Sequence, residues 1–93
     1  MGYQYPIDEA FWSKEEIVDV VNFYSMIEQA YESSVKKEDL IKSYTRFKQV
    51  VPSKSEEKQL FSRFEKESGY SGYRTVKKAK DLSEGQRVKM SKS

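Results

Sequence analysis

The 93-residue chain contains no cysteine and no histidine. Without cysteine, disulfides, thiolate metal sites and thiol redox chemistry are excluded. Without histidine, the commonest general base and the commonest ligand for borderline metals are lost together. Serine and tyrosine are plentiful, yet they lack the base that usually activates them as nucleophiles. No apolar run approaches the roughly 20 residues of a membrane span. The opening stretch MGYQYPIDEAFW is acidic and has no signal-peptide pattern. The expectation is a cytoplasmic protein without a cofactor, a bound metal or a membrane anchor.

A chain of this length makes one domain with a modest core. Leu, Ile, Val and Phe number 20 of 93, only just above the level at which chains read as disordered. Seven Tyr, three Met and one Trp supply the missing apolar bulk, and a net charge of +2 gives little self-repulsion. The composition therefore predicts a folded domain with a thin, aromatic-rich core. Charge is unevenly spread. Residues 1–32 carry one Lys against seven acids, whereas residues 33–69 net +3 and residues 70–93 net +5. Such polarity implies docking of the basic end on the acidic end, or two differently charged faces.

The pattern predicts an all-α, four-helix bundle or array. Residues 1–12 hold Tyr3, Tyr5, Pro6, Ile7, Phe11 and Trp12 without helical spacing, so they read as an extended aromatic arm lying across the bundle. Residues 13–82 form the helical domain, with helices over about 14–32, 37–50, 54–68 and 72–82. Ser13–Glu16 and Ser53–Glu56 have the Ser-x-x-Glu form of a capping box. The first helix carries Ile17, Val20, Val21, Tyr24, Ile27 and Tyr31 on one stripe and Phe23, Met26 and Ala30 on another. It is either central in the bundle or half of an oligomer seam. The central position is preferred because so small a chain needs one helix covered on several sides. The second helix sets Leu40, Tyr44, Phe47 and Val51 inward and Lys42, Thr45 and Arg46 outward, and Pro52 ends it. Leu60, Phe61 and Phe64 give the third a short apolar face. Residues 83–93 are polar and basic, with only Val88 and Met90 to bury, and read as a loose tail or at best a short docked segment.

The segment SGYSGYRTVKKAKD, residues 68–81, doubles a Ser-Gly-Tyr triplet. Gly69 stands where a left-handed residue closes a helix at least cost. Ser71 can cap the next helix, whose apolar side is read as Tyr73, Val76 and Ala79, with Tyr70 packing back under the corner. A helix corner accounts for the doubling. A functional reading starts from Arg74, Lys77 and Lys78, which share one broad face just beyond the helix's free amides, where anions are favoured. Phosphate-loop and dinucleotide fingerprints need glycines at other spacings, and a helix-hairpin-helix motif wants Gly-apolar-Gly, one residue shorter than Gly69 to Gly72. The candidate binding residues are thus Tyr70, Tyr73, Arg74, Lys77 and Lys78, on charge and interleaved tyrosine alone.

Adjacent carboxylates occur at Asp8/Glu9, Glu15/Glu16, Glu38/Asp39 and Glu56/Glu57. Acid–base catalysis needs a shielded carboxyl with a partner across a cleft. Three of these pairs fall at expected helix starts, where acids complement the macrodipole, so no catalytic residue is assigned. No Asp-x-Asp-x-Asp-Gly core is present for calcium.

The blocks YQYPID (3–8), WSKEEI (12–17), FKQVVPSKSEEK (47–58) and SGYSGYRTVKKAK (68–80) together resemble the YktA-like family, small uncharacterised proteins of low-GC Gram-positive bacteria. The resemblance covers about residues 3–82 and implies a compact all-helical domain in a bacterial cytoplasm. It implies no activity and gives no residue a role. The expected function is non-enzymatic binding of another macromolecule, an acidic protein, through the basic face of the last helix. The alternative is RNA or DNA binding by that same face. Either a monomer or a homodimer is compatible with the pattern.

Overall fold

The computed structural model describes residues 5–91, and the arm residue Tyr3 lies outside them. Four helices make an all-α domain: α1 Lys14–Glu32, α2 Lys37–Val50, α3 Lys54–Ser68 and α4 Gly72–Asp81. Two short strands, β1 Val35–Lys36 and β2 Arg87–Val88, pair antiparallel, Val35 opposite Val88 and Lys36 opposite Arg87.

α1 opens on a full capping box. Ser13 Oγ accepts from the Glu16 amide at 3.2 Å, and Glu16 Oε1 accepts from the Ser13 amide at 2.8 Å. Both of its apolar stripes are inside: Val20, Tyr24 and Ile27 from one, Phe23 and Ala30 from the other, are fully buried. α1 is therefore the central helix, and Phe23, fully buried within the chain, is covered by its own core. The core around it is a lattice of rings. Phe23 lies 4.8 Å from Phe47 and 5.8 Å from Phe61 between centroids, and Tyr24 stacks on Phe64 at 4.7 Å. Closing off one such side chain stabilises by roughly 1.5–3 kcal/mol, which is how a chain short of aliphatics still makes a core. α3 starts at Ser53, whose Oγ accepts from the Glu56 amide at 3.3 Å. Among the described residues only this half of the expected box forms.

Two expectations for the ends of the chain are corrected. In the arm, Pro6 and Trp12 are buried, and Tyr24 donates its hydroxyl to the Pro6 carbonyl at 3.1 Å. Phe11 does not lie across the bundle; it is 83% exposed. The carbonyl of Asp8 accepts from the amides of Phe11 and Trp12, and this turn sends Trp12 inward and Phe11 outward. The C-terminal segment, expected as a loose tail or at best a short docked segment, is docked as far as Met90. α2 has no side-chain cap, and its Lys37 amide donates instead to the Gln86 carbonyl at 3.0 Å. Glu38 Oε2 accepts from the Gly85 amide at 2.7 Å, a bond that holds this carboxyl below its usual pKa. Lys37 donates to the Leu82 carbonyl, Arg87 to Ser34, and the Met90 amide to the Ala30 carbonyl. Val88 is fully buried. The segment is thus fastened both by backbone groups that α1 and α2 leave open at their ends, the Ala30 carbonyl and the Lys37 amide, and by the side chains of Lys37, Glu38 and Arg87.

The doubled triplet is a helix corner in which the glycines have different tasks. Gly69, at φ 80° and ψ 5°, ends α3 in the left-handed region. Gly72, the first residue of α4, is a close approach: a Cβ there would stand 3.2 Å from both Ile27 Cδ1 and Phe61 Cδ1. Between them Ser71 Oγ caps the Arg74 amide at 3.1 Å.

Candidate functional site

The rotation of α4 follows from Gly72. Successive helical residues turn by about 100°, and the contact made at Gly72 brings Thr75, Val76 and Ala79 inward with it. Tyr73, expected on the apolar side, is instead 66% exposed. The same rotation splits the expected basic face. Tyr73 and Lys77, one helical turn apart and joined by Lys80, point along one flank of α4; Arg74 and Lys78 are exposed on the other. Tyr70 is engaged at the corner. It stacks on Tyr31 at 4.5 Å between centroids, and its hydroxyl donates to Glu32 Oε2 at 3.0 Å.

The Tyr73–Lys77–Lys80 flank forms one wall of a groove of about 760 Å³ between α3 and α4. Lys54, Lys58 and Glu65 of α3, recurring on one side of that helix, form the other wall. The floor is Phe61, Val76 and the ring of Tyr44 from α2. Hence two of the five expected site residues, Tyr73 and Lys77, line this groove, while Tyr70, Arg74 and Lys78 do not.

Charge in the groove is unbalanced. Glu57 is already engaged: Tyr44 donates its hydroxyl to Oε2 at 2.7 Å, and Lys48 Nζ sits 2.6 Å from Oε1. Burial, and then the neighbouring Glu57 carboxylate, push the Tyr44 phenol well above its ordinary pKa, so it remains a neutral donor. Lys80 Nζ stands 5.5 Å over the Tyr44 ring, within cation–π range. Among the described residues, Lys54, Lys58, Lys77 and Lys80 take part in no ion pair, and Glu65 is the one lining acid not already engaged. Aromatic floor and cationic rim suit a ligand that is apolar in the middle and anionic at its edges. Among the described residues no group of three or more carboxylates is placed to hold a metal ion.

Comparison with known proteins gives this geometry a family. The model of an uncharacterised protein family, UPF0223, matches residues 2–88. The chain belongs to the UPF0223 family. A UPF0223 protein of Oceanobacillus iheyensis is 61% identical over 84 residues, covering 90% of this chain and 94% of the relative. UPF0223 proteins of Staphylococcus aureus and Bacillus mycoides are 51% and 52% identical, over 99% and 97% of this chain and all of each relative. These are low-GC Gram-positive bacteria, as the resemblance implied, and the family's description carries no activity. The UPF0223 match runs past α4 and ends at Val88, the buried residue of β2, so the docked segment falls inside the family's extent as far as β2.

Lys54, Lys58, Lys80, Tyr44 and Phe61 were not among the residues expected in a site. The spacings Lys54–Lys58 and Tyr73–Lys77–Lys80 mark two stripes in the sequence. Only the packing of α4 reveals that the stripes face one groove.

Proposed function

We propose that this UPF0223 protein is a non-enzymatic, cytoplasmic binding domain whose α3/α4 groove takes an acidic protein segment with apolar side chains. The observation that carries the reading is the groove itself: an aromatic floor rimmed by four lysines without ion-pair partners among the described residues, beside an exposed tyrosine. Desolvated apolar anchors within a charged rim are the usual arrangement of protein-recognition surfaces. A non-enzymatic role is supported by the lack of histidine and cysteine and by paired carboxylates that occupy the first turns of α1, α2 and α3. Among the described residues no helix is long and apolar enough to cross a membrane; the cytoplasmic part of the proposal rests on the sequence pattern. The narrower YktA-like label belongs to this proposal too, resting on the sequence blocks alone.

Nucleic acid is the second reading, and exposed Tyr73 beside Lys77 favours it, since an accessible ring next to a cation can stack a base. It ranks lower because a net charge of +2 and an acidic N-terminal third give a weak long-range field. Fluorescence anisotropy separates the two. A labelled acidic amphipathic peptide binds and a labelled single-stranded oligonucleotide does not, beyond the roughly 10⁻⁴–10⁻⁶ M of non-specific contact. Lys58→Glu/Lys77→Glu abolishes peptide binding, and Arg74→Glu/Lys78→Glu leaves it intact. Sub-micromolar oligonucleotide binding, lost in Lys58→Glu/Lys77→Glu, overturns the order.

A further inference from the structure

Beyond the groove, the described residues expose two other large apolar side chains, Phe11 at 83% and Val18 at 64%. Both belong to the acidic end of the molecule. Phe11 sits in the turn before α1 and Val18 in its second turn, and the segment around them holds Asp8, Glu9, Glu15, Glu16 and Asp19 against a single cation, Lys14. Two of these acids have partners: Glu16 caps Ser13, and Asp19 lies 3.9 Å from Arg46. Glu9 and Glu15 are exposed beside Phe11 and Val18 in sequence. In sequence and exposure this segment is the converse of the groove, exposed apolar side chains among acids against an aromatic floor among lysines.

We propose that the acidic Phe11/Val18 patch of one copy of this chain docks in the lysine-rimmed α3/α4 groove of a second copy. The inference rests on the groove reading above and names an occupant for it. Charge complementarity selects this pairing over the alternatives. Groove against groove opposes eight lysines, four from each copy, and patch against patch opposes acid to acid; like charges across an interface are costly. With two anchors per contact, the association belongs to the weak, transient class. The patch and the groove are different surfaces, so the contact is heterologous. It adds copies head to tail unless two copies close on a twofold axis, each filling the other's groove. Apolar anchoring with charged rims also makes the contact salt-sensitive, since exposed pairs are screened within a Debye length of about 8 Å at physiological ionic strength.

Amide chemical shifts of the isotope-labelled full chain, followed from about 20 μM to about 1 mM, test the proposal across the range of weak, transient association. The expected result is concentration-dependent movement of two separate sets, one around Phe11 and Val18, the other around Lys58, Tyr73 and Lys77, both reduced by 0.5 M salt. A patch variant, Phe11→Ser/Val18→Ser, and a groove variant, Lys58→Glu/Lys77→Glu, each lose these shifts when alone. A mixture of the two restores one contact only: the groove set moves in the labelled patch variant, and the patch set in the labelled groove variant. These substitutions fall on exposed side chains, and the dispersion of the same spectra reports that each variant is folded. Absence of any movement up to 1 mM overturns the proposal, as does movement of the groove set alone. Adding the acidic amphipathic peptide to the same samples distinguishes the failures. If the groove set moves with peptide but not with concentration, the groove reading stands and the second copy is the wrong occupant; if neither moves it, both fail.

Discussion

Around α1 the buried apolar side chains are Val20, Phe23, Tyr24, Ile27 and Ala30, drawn from both apolar stripes and including two large rings. Along α4 the buried residues are Gly72, Thr75, Val76 and Ala79, all small. The difference sets what each helix can do. α1 meets neighbours on several sides, and its bulk fills the ring lattice that holds the domain together. α4 packs against α2 as well as α1 and α3, through one face of small residues, which leaves Tyr73, Lys77 and Lys80 standing beside α3 as a groove wall. The bulk of the core is thus carried by the first helix, and the proposed recognition falls to the last.

The largest test of this contrast is truncation in α1. Tyr24→Ala or Ile27→Ala is expected to cost on the order of 2–5 kcal/mol, the range for core cavities, and a domain of this size does not survive the upper end. Urea unfolding followed by circular dichroism measures it, and a loss below 1 kcal/mol would deny α1 its central place. Next is Gly72→Val. The new branches meet Ile27 and Phe61 at contacts already as short as 3.2 Å for a bare Cβ, so overpacking of about 1–3 kcal/mol is expected. Gly69→Ala follows at ~1 kcal/mol, the cost of a side chain in the left-handed region. Equal stability of the Gly69 variant would mean that the corner does not depend on φ 80°.

A smaller, pH-dependent effect comes from Glu28, also on α1. It is 7% exposed, accepts a hydrogen bond from the Tyr5 hydroxyl, and has no partner for Oε2 among the described residues. Burial first, and the nearby Glu32 second, raise its pKa above the ordinary value. A carboxyl whose pKa is raised in the folded state favours folding while protonated. That contribution is whole below the unfolded value of about 4.3 and disappears as pH rises through the folded value. Glu28→Gln is therefore expected to match the wild type near pH 4 and to exceed it near pH 7, as read from urea midpoints at the two pH values. The reverse order would mean that the carboxylate is better solvated than its burial indicates.

Much of the fold could be read directly from residue types. Ser13 and Ser53 announce helix starts, Pro52 a stop, and Gly69 a left-handed closure, because each rests on local chemistry within a few residues. The two stripes of α1 signalled a helix covered on several sides. What escaped depends on contacts distant in sequence. β1 and β2 are two residues each, too short for any alternation, and Val88 sits in a polar run that resembles a tail until Val35 is placed opposite it. The orientation of α4 escaped for a different reason. Its inward face is built on Gly72 and Thr75, residues that carry no hydrophobic signal, so Tyr73 was read as its apolar edge. The five expected residues are accordingly not one surface: Tyr73 and Lys77 line the groove, Arg74 and Lys78 occupy the other flank, and Tyr70 is taken up by Tyr31 and Glu32. Glu28 escaped because its burial depends on the arm residue Tyr5 folding back over it.

The smallest expected change in stability is at Tyr73, where an exposed side chain can be truncated within about ±0.5 kcal/mol. That makes Tyr73→Ala the most direct test of the proposed division between a stabilising α1 and a recognising α4. Its urea midpoint and its affinity for a labelled acidic amphipathic peptide should be measured side by side with the wild type. An unchanged midpoint with affinity reduced at least tenfold is the predicted result. A variant that unfolds more easily yet binds the peptide as well as the wild type would contradict it.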